Sequence, residues 1–283
     1  QLSDAGSASM SDHPKTILAR YSLEPKKSLG QNFLFDENVL ESIVDAADVG
    51  PDDVVLEIGP GLGSLTRQLA SRVKRVVAVE LDSRFVPVLQ KELANLDNVT
   101  IVHGDILEQD AAELIEGPYK VVANVPYYIT GAILRHLLSG LHKPEGLVLT
   151  VQQEVAQRLT AEPPRMSMLA VSVRYFGNTK RVRTIKAGAF WPRPDVDSTV
   201  ISIRVRQQPL LGEAEEAAFF KVVRAGFSQK RKQLQKNLRQ INSDRTAVGA
   251  AFEAAGIDGN RRAETLTIDE WVALVRAFGK DGW

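Results

Sequence analysis

Residues 124–127, Asn-Val-Pro-Tyr, follow the apolar run "YKVVA" and precede an amphipathic stretch, so they fall where a buried strand gives way to a turn. An exocyclic amine on a nucleobase is a poor nucleophile because its lone pair is delocalised into the ring. Acceptors aimed at the amino hydrogens favour a pyramidal nitrogen and direct that lone pair outward, at a methyl donor. Asn124 through its side-chain oxygen and Val125 through its backbone carbonyl are acceptors of this kind, and Tyr127 offers a flat face on which an extruded base can stack. No strong base is needed, because the amine becomes acidic once methylated and loses its proton to solvent. The same residues also read as a proline-stiffened turn with two rings, Tyr127 and Tyr128, closing a core. Which reading holds depends on what stands at the neighbouring strand ends.

The segment "VVLEIGPGLGSLT" reads as a strand, a glycine-rich turn and a helix, with Gly59, Gly61 and Gly63 allowing a tight turn and close backbone approach to a ligand. A dinucleotide fingerprint needs a sixth-position glycine at 64, where this chain has Ser64. The next strand, "VVAVELD", ends in Glu80 about 20 residues on, where a carboxylate can accept from both hydroxyls of a ribose. The third ends "VHGDIL", placing Asp105 where it could accept from an adenine amino group, although a strand-end acid is often only a helix cap. No phosphate-clamping G-x-x-x-x-G-K-[ST] occurs, so the pattern points to a nucleoside cofactor without a pyrophosphate, and S-adenosylmethionine fits. Upstream, "KKSLGQNFLFD" supplies Gln31 and Asn32, with Leu34 beside them, to hold the cofactor's amino-acid end; Asp36 alone would explain the segment as a helix cap.

The elements that must position these residues alternate: β-rich runs "VVLEIG", "RVVAVEL", "VTIVHG", "YKVVANV", "GLVLTVQ", "RVRTI" and "STVISIRV" are spaced by amphipathic stretches between about 53 and 206. This predicts an α/β fold, a doubly wound, Rossmann-like and mostly parallel sheet, with the last two strands as a hairpin-like edge. From about 214 to 278 only helical periodicity remains, including "RKQLQKNLRQ", with caps expected at Ser243 and at Thr267, which has Glu270 three residues on. The expected organisation is therefore a flexible leader, placed before Met10, and an N-terminal segment over 1–27, a methyltransferase domain over 28–207 and a small all-helical domain over 208–283.

The chain has 283 residues and no cysteine, which excludes disulfides, thiolate metal sites and Cys nucleophiles and permits a reducing cytoplasm. No apolar run of about 18 residues suggests a membrane span, and "QLSDAGSASM" lacks the regions of a signal peptide. The net charge is zero but unevenly spread, with 13 Lys and Arg against 21 Asp and Glu in residues 1–150 and 22 against 14 in residues 151–283. Lys180, Arg181, Arg183 and Lys186 form one basic group, and Lys221, Arg224, Lys230, Arg231, Lys232, Lys236 and Arg239 another. Each could be a solvated face, but two of them beside an acidic half favour a nucleic-acid partner.

Taken in order, "SLGQNFL", "VLEIGPGLGSLT", "VVAVELD", "GDIL", "NVPYYI", "VQQEVAQRL", "FWPRPDVDS" and "FSQKRKQLQKNL" make the chain resemble the small-subunit ribosomal RNA adenine N6,N6-dimethyltransferase family from about residue 28 to 238. The resemblance implies S-adenosylmethionine as cofactor, with contacts at Asn32, Leu34, Gly59, Glu80, Asp105 and Asn124, to which the turn adds Gly61. It implies as substrate two adjacent adenosines in a hairpin loop near the 3′ end of small-subunit rRNA, each methylated twice, within an immature 30S-type subunit. It further suggests that Phe190 lies against the target base opposite Tyr127. RNA contacts are expected from Lys180, Arg181, Arg183, Arg224, Lys230, Arg231 and Lys232. A monomeric, cytoplasmic enzyme without a metal is expected, acting also in ribosome biogenesis. Tyr128 departs from the Asn that often stands at this position of the family. The rival readings are the related large-subunit enzyme that confers macrolide resistance, a non-catalytic assembly factor on the same fold, and a nicotinamide-dependent dehydrogenase. The basic "SQKRKQLQKNL", the retention of Glu80 with Asn124, and Ser64 argue against them in turn.

Overall fold

The computed structural model describes residues 12–126 and 129–279. They form nine strands: β1 Phe33–Leu34, β2 Val54–Ile58, β3 Arg75–Glu80, β4 Val99–His103, β5 Lys120–Asn124, β6 Gly146–Gln152, β7 Gly177–Ile185, β8 Phe190–Trp191 and β9 Ser198–Val205. Seven make one sheet in the order β4-β3-β2-β5-β6-β9-β7. Pairing is parallel between β2 and β3, β2 and β5, β3 and β4, and β5 and β6. The interior residues of β2, β3, β5 and β6 are buried without alternation, which is why these strands read as continuous apolar runs.

The chain runs outward from β2 to β4, returns to β5 beside β2, and runs outward the other way to β6. Crossovers of one hand laid down in opposite directions put their helices on opposite faces, so the sheet is doubly wound as expected. The reversal between β2 and β5 creates a crevice at their carboxyl ends. β9 runs against β6: Val205 N donates to Glu145 O (3.0 Å) and Gln153 N to Asp197 O (3.1 Å). Arg206 N donates to Phe176 O (2.8 Å), setting the end of β9 beside the start of β7, so these two form the anticipated hairpin-like edge. β7 starts four residues earlier than the run "RVRTI" predicts. Gly177 allows this, because a Cβ there would lie 2.3 Å from Arg204 O.

Two compact units separate within the chain. One takes in the chain up to Leu137 with Gly146–Gln153 and Val182–Ser202; the other takes in Leu138–Glu145, Glu154–Arg181 and the chain from Ile203 on. The units therefore do not part at residue 208. Within the second, Tyr175 and Phe176, which end the helix Met168–Phe176, pack on Phe219 and Phe220 of the helix Glu213–Gly226, with ring centroids 4.5 to 5.5 Å apart. That aromatic cluster binds residues 154–181 to the C-terminal helices.

Residues 1–11 lie outside the described residues, but Pro14–Arg20 is a helix with Pro14 at its first turn. Its Ile17 and Leu18 are buried with Phe33, Leu62 and Phe85, an apolar anchor for the N-terminal segment.

In the second unit, Thr267 and Glu270 form the predicted capping box, with Glu270 N donating to Thr267 Oγ1 (3.2 Å) and Thr267 N to Glu270 Oε2 (2.8 Å). The other cap falls on Asp244 instead of Ser243, because Asp244 Oδ1 reaches Thr246 N and Ala247 N. The helix expected from Arg231 begins only at Leu234, and the preceding residues form a loop. Buried Asn237 holds that loop by donating to Gly226 O (2.6 Å) and Gln229 O (3.1 Å). Gly226 itself is obligatory for packing: a Cβ would lie 2.5 Å from Trp271 Cη2 and 2.9 Å from Leu234 Cδ1. Gly226→Ala is therefore expected to destabilise this unit by about 1–3 kcal/mol, read by thermal denaturation.

Candidate active site

Strand register assembles the site in one row. Ile58 stands opposite Val79 on one side and Ala123 on the other, Glu80 opposite His103, and Asn124 opposite Thr150. The next residue of β2, Gly59, is thus level with Glu80 and Asn124 at the carboxyl ends of the switch-point strands, and Gly59 N donates to Val79 O (2.9 Å). Gly59 and Gly61 both adopt left-handed φ, +68° and +58°. A Cβ on Gly61 would also lie 3.0 Å from the Phe33 ring, so the turn needs glycine for space as well as conformation.

One cavity opens over this row. Gln31, Asn32, Leu34, Gly59, Gly61, Glu80, Asp105, Asn124 and Val125 all line it, so nine of the residues singled out by their motifs are brought together. Tyr127 and Tyr128 lie outside the described residues. Phe190 does not line the cavity. It is 2% exposed in a core cluster with Leu34 and Ile185, and its backbone pairs with Leu34 where β8 meets β1. Pairing and packing hold the ring in the core in this arrangement.

Glu80 is buried, and its oxygens accept from Gly61 N (3.1 Å) and Asp82 N (2.8 Å). Burial raises its carboxyl above the ordinary range, against the pull of those backbone N–H groups. Asn124 Nδ2 donates to Asn32 O (3.2 Å), which leaves Oδ1 as the acceptor of the amide. Asp105 does serve as a cap, accepting from Leu107 N (2.9 Å) at the short helix Ile106–Glu108 while it lines the cavity. Gln31 lines the cavity with its carboxamide engaged at both ends: Nε2 donates to Asp82 Oδ2 (2.9 Å), and Oε1 accepts from Lys26 N (2.6 Å).

The motifs do not announce Leu81, Ile106 and Phe85, which give the cavity apolar walls. Leu81 does leave a signal, a large apolar residue directly after a strand-end acid, and it is 45% exposed. Glu57 shows in the sequence only as an acid before the glycines, yet it lines the cavity too and is 1% exposed. Its Oε2 has no hydrogen-bond partner among the described residues. Burial pushes its carboxyl up to about 8, partly offset by the Thr66 hydroxyl and reinforced by the charge of Glu80. The folded chain then holds this proton more tightly than the unfolded chain does. The stability this carries is fully present below the ordinary carboxylate range and is lost as pH rises towards about 8. Glu57→Gln should flatten that loss, gaining on the order of 3 kcal/mol over the parent at pH 9 and little at pH 5, as read by thermal denaturation. Equal curves at both pH values would mean that the carboxyl is not held protonated.

Lys180, Arg181 and Arg183 are exposed on β7, at the edge of the sheet order. Edge strands often carry such charge against strand addition, so this group has two readings. Arg224, Lys230, Arg231 and Lys232 are exposed in the second unit, and none forms an ion pair among the described residues. No group of His, Cys, Asp and Glu among the described residues is arranged to hold a metal, and no described helix is long and apolar enough to cross a membrane.

The pattern of the ribosomal RNA adenine dimethylases matches residues 23–280. The chain is 42% identical over 280 residues to a ribosomal RNA small subunit methyltransferase A of Dehalococcoides mccartyi, covering 98% of this chain and 96% of the relative. A protein of the same name from Clostridium botulinum is 43% identical over 264 residues, 92% of this chain and 96% of its own. Among solved structures, the 23S rRNA methyltransferase ErmE is similar over 87% of this chain and 99% of its own, with a TM-score of 0.73 and 30% identity. A dimethyladenosine transferase from Plasmodium falciparum shares the fold over 88% of this chain and 98% of its own, with a TM-score of 0.77 and 24% identity.

Proposed function

This chain belongs to the ribosomal RNA adenine dimethylase family, and we propose that it methylates N6 of two adjacent adenosines, each twice, in a hairpin loop near the 3′ end of small-subunit rRNA. The observation that carries the reading is the Asn124 amide. Its nitrogen is taken up by the Asn32 carbonyl, so its oxygen is left to accept from an amine, in the same row as Glu80 and the glycine turn. The choice of small over large subunit rests on the relatives of higher identity, which carry that activity in their names.

S-adenosylmethionine fits the cavity on three counts. The glycine turn lets the backbone approach a ligand closely, the walls are apolar, and Glu80 sets a buried carboxyl near a ligand that bears positive charge. Glu80 would accept from the ribose hydroxyls and Asp105 from the adenine amino group, while Asn32 and Leu34 would border the amino-acid end. Bound there, the cofactor supplies a methyl group carried on a sulfonium. Asn124 Oδ1 and the Val125 carbonyl accept the two N6 hydrogens of the adenine, which localises the nitrogen lone pair and aims it. No residue is needed as a base, since the methylated amine gives its proton to solvent.

The exposed basic residues contact rRNA in an immature 30S-type subunit, and the enzyme works as a cytoplasmic monomer. Replacing Lys230, Arg231 and Lys232 together with Glu should weaken binding to small subunits and lower the dependence of log K on log salt by about 0.7–0.9 for each phosphate that is no longer neutralised. The assignment itself is tested by mapping adenine methylation on both rRNAs in a strain lacking this gene. Two adjacent dimethyladenosines should vanish from the small-subunit rRNA, and loss from the large-subunit rRNA instead would refute it.

A further inference from the structure

Asp82 takes no part in the chemistry described so far, yet it is 4% exposed and lies two residues past Glu80. Arg84 grips its carboxylate through Nε (3.0 Å) and Nη2 (2.7 Å), and Lys26 Nζ stands 3.9 Å away. These contacts hold the acid in place and aim its Oδ2 at Gln31 Nε2, 2.9 Å away. The other end of the Gln31 carboxamide accepts from Lys26 N (2.6 Å), so Gln31 is clamped between its own segment and the loop after β3. The next residue, Asn32, carries the carbonyl that takes the hydrogen of Asn124 Nδ2.

A path of three hydrogen bonds, joined covalently through Asp82 and through Gln31 and Asn32, thus leads from Glu80 to the Asn124 amide. It passes from Glu80 Oε1 to Asp82 N, from Asp82 Oδ2 to Gln31 Nε2, and from Asn32 O to Asn124 Nδ2. We propose that Asp82 and Gln31 are positioning residues: together they hold the Asn32 carbonyl against Asn124, and so keep the Asn124 oxygen turned towards the adenine amine. An amide free to rotate would present its NH₂ group there in part of the population, donor facing donor, and transfer would slow. Gln31 then serves the reaction through Asn124, because one bond at each end of its carboxamide fixes it between Lys26 and Asp82.

This inference rests on the role proposed for Asn124, and the test separates the two. Single-turnover methyl transfer to unmethylated small subunits at saturating cofactor, together with cofactor affinity by calorimetry, would be measured for Gln31→Met and Asp82→Ala, alone and combined with Asn124→Ala. Gln31 is only half-buried, so its variant remains informative should Asp82→Ala fail to fold. Each single variant is expected to transfer about tenfold more slowly, as for a misplaced catalytic group, with cofactor affinity changed less than about threefold. In the Asn124→Ala background neither should slow transfer further, because the amide they orient is gone. Asp82→Asn, which keeps one acceptor for Gln31, should recover part of the loss. Weakened cofactor binding with an unchanged saturated rate would overturn the proposal and return Gln31 to the cofactor. A further loss in the Asn124→Ala background would also overturn it. No effect of Asn124→Ala by itself would instead refute the underlying reading of the site.

Discussion

Asn124→Ala lowers the rate of methyl transfer at saturating cofactor by on the order of 10²–10³-fold, the scale of losing one preorganised polar group aimed at a reacting centre. The reason is local. The Asn124 side chain is fixed by its bond to the Asn32 carbonyl, so its oxygen needs no reorganisation when the amine arrives. Alanine leaves the amine with the Val125 carbonyl alone, and the nitrogen lone pair returns to the ring. Val125 cannot be disarmed by substitution, because its acceptor is the backbone, so the residual activity of the variant measures what that carbonyl supplies. Cofactor affinity should change far less than the rate, since Glu80, Asp105 and the glycine turn are untouched. Calorimetry with S-adenosylhomocysteine and circular dichroism of the variant separate this outcome from a folding defect.

Glu80→Gln weakens cofactor binding by roughly 100-fold, for about 3 kcal/mol of hydrogen bonding to a charged group. The substitution looks conservative and is not. Both oxygens of Glu80 already accept backbone N–H groups, from Gly61 and Asp82, so a glutamine must turn its NH₂ towards one of these donors. The variant therefore loses an acceptor for the ribose and strains the glycine turn at once. A pH dependence follows from the same site. Burial holds the Glu80 carboxyl above the ordinary range, and in the proposed site the ribose hydroxyls would bind its ionised form. Affinity for the cofactor should fall on acidification, beginning above the pH at which an exposed glutamate would protonate. Glu80→Gln should abolish that part of the profile, which calorimetry across pH would read.

The strand ends are legible in the sequence because three signals coincide there: continuous apolar runs, glycines that only a turn explains, and lone polar residues where the runs stop. Glu80, Asp105 and Asn124 stand out in this way, and register sets Glu80 and Asn124 in one row with Gly59. What pairs across long separations is not legible. Nothing near Gln31 announces that its partner is Asp82, 51 residues on. The burial of Phe190 is not legible either, because β1 and β8 are strands of two residues each, too short to show a period. The helix Pro14–Arg20 escapes notice because about two turns offer only Ile17 and Leu18 as an apolar face. Periodicity changes after residue 207, which puts the expected boundary there. The packing of Tyr175 and Phe176 on Phe219 and Phe220 that draws residues 154–181 into the second unit leaves no periodic trace.

Dimethylation places a further demand on the amide. After the first transfer the nitrogen keeps one hydrogen, so either Asn124 or Val125 must release its hydrogen bond while the cavity admits a methyl group. If Asn124 keeps the remaining hydrogen, its replacement slows both rounds. If Val125 keeps it, the variant recovers on the second round and the monomethylated product fails to accumulate.

If this cavity joins a methyl donor to an adenine amine of small-subunit rRNA, the methyl group can be followed from one to the other. The most direct measurement incubates the purified chain with methyl-labelled S-adenosylmethionine and unmethylated small subunits, then identifies the labelled nucleoside and its position after nuclease digestion. Label is expected in N6,N6-dimethyladenosine at two adjacent positions near the 3′ end of the small-subunit rRNA, and none in large subunits treated alike. Label confined to large-subunit rRNA, to another nucleoside, or absent from both would contradict it.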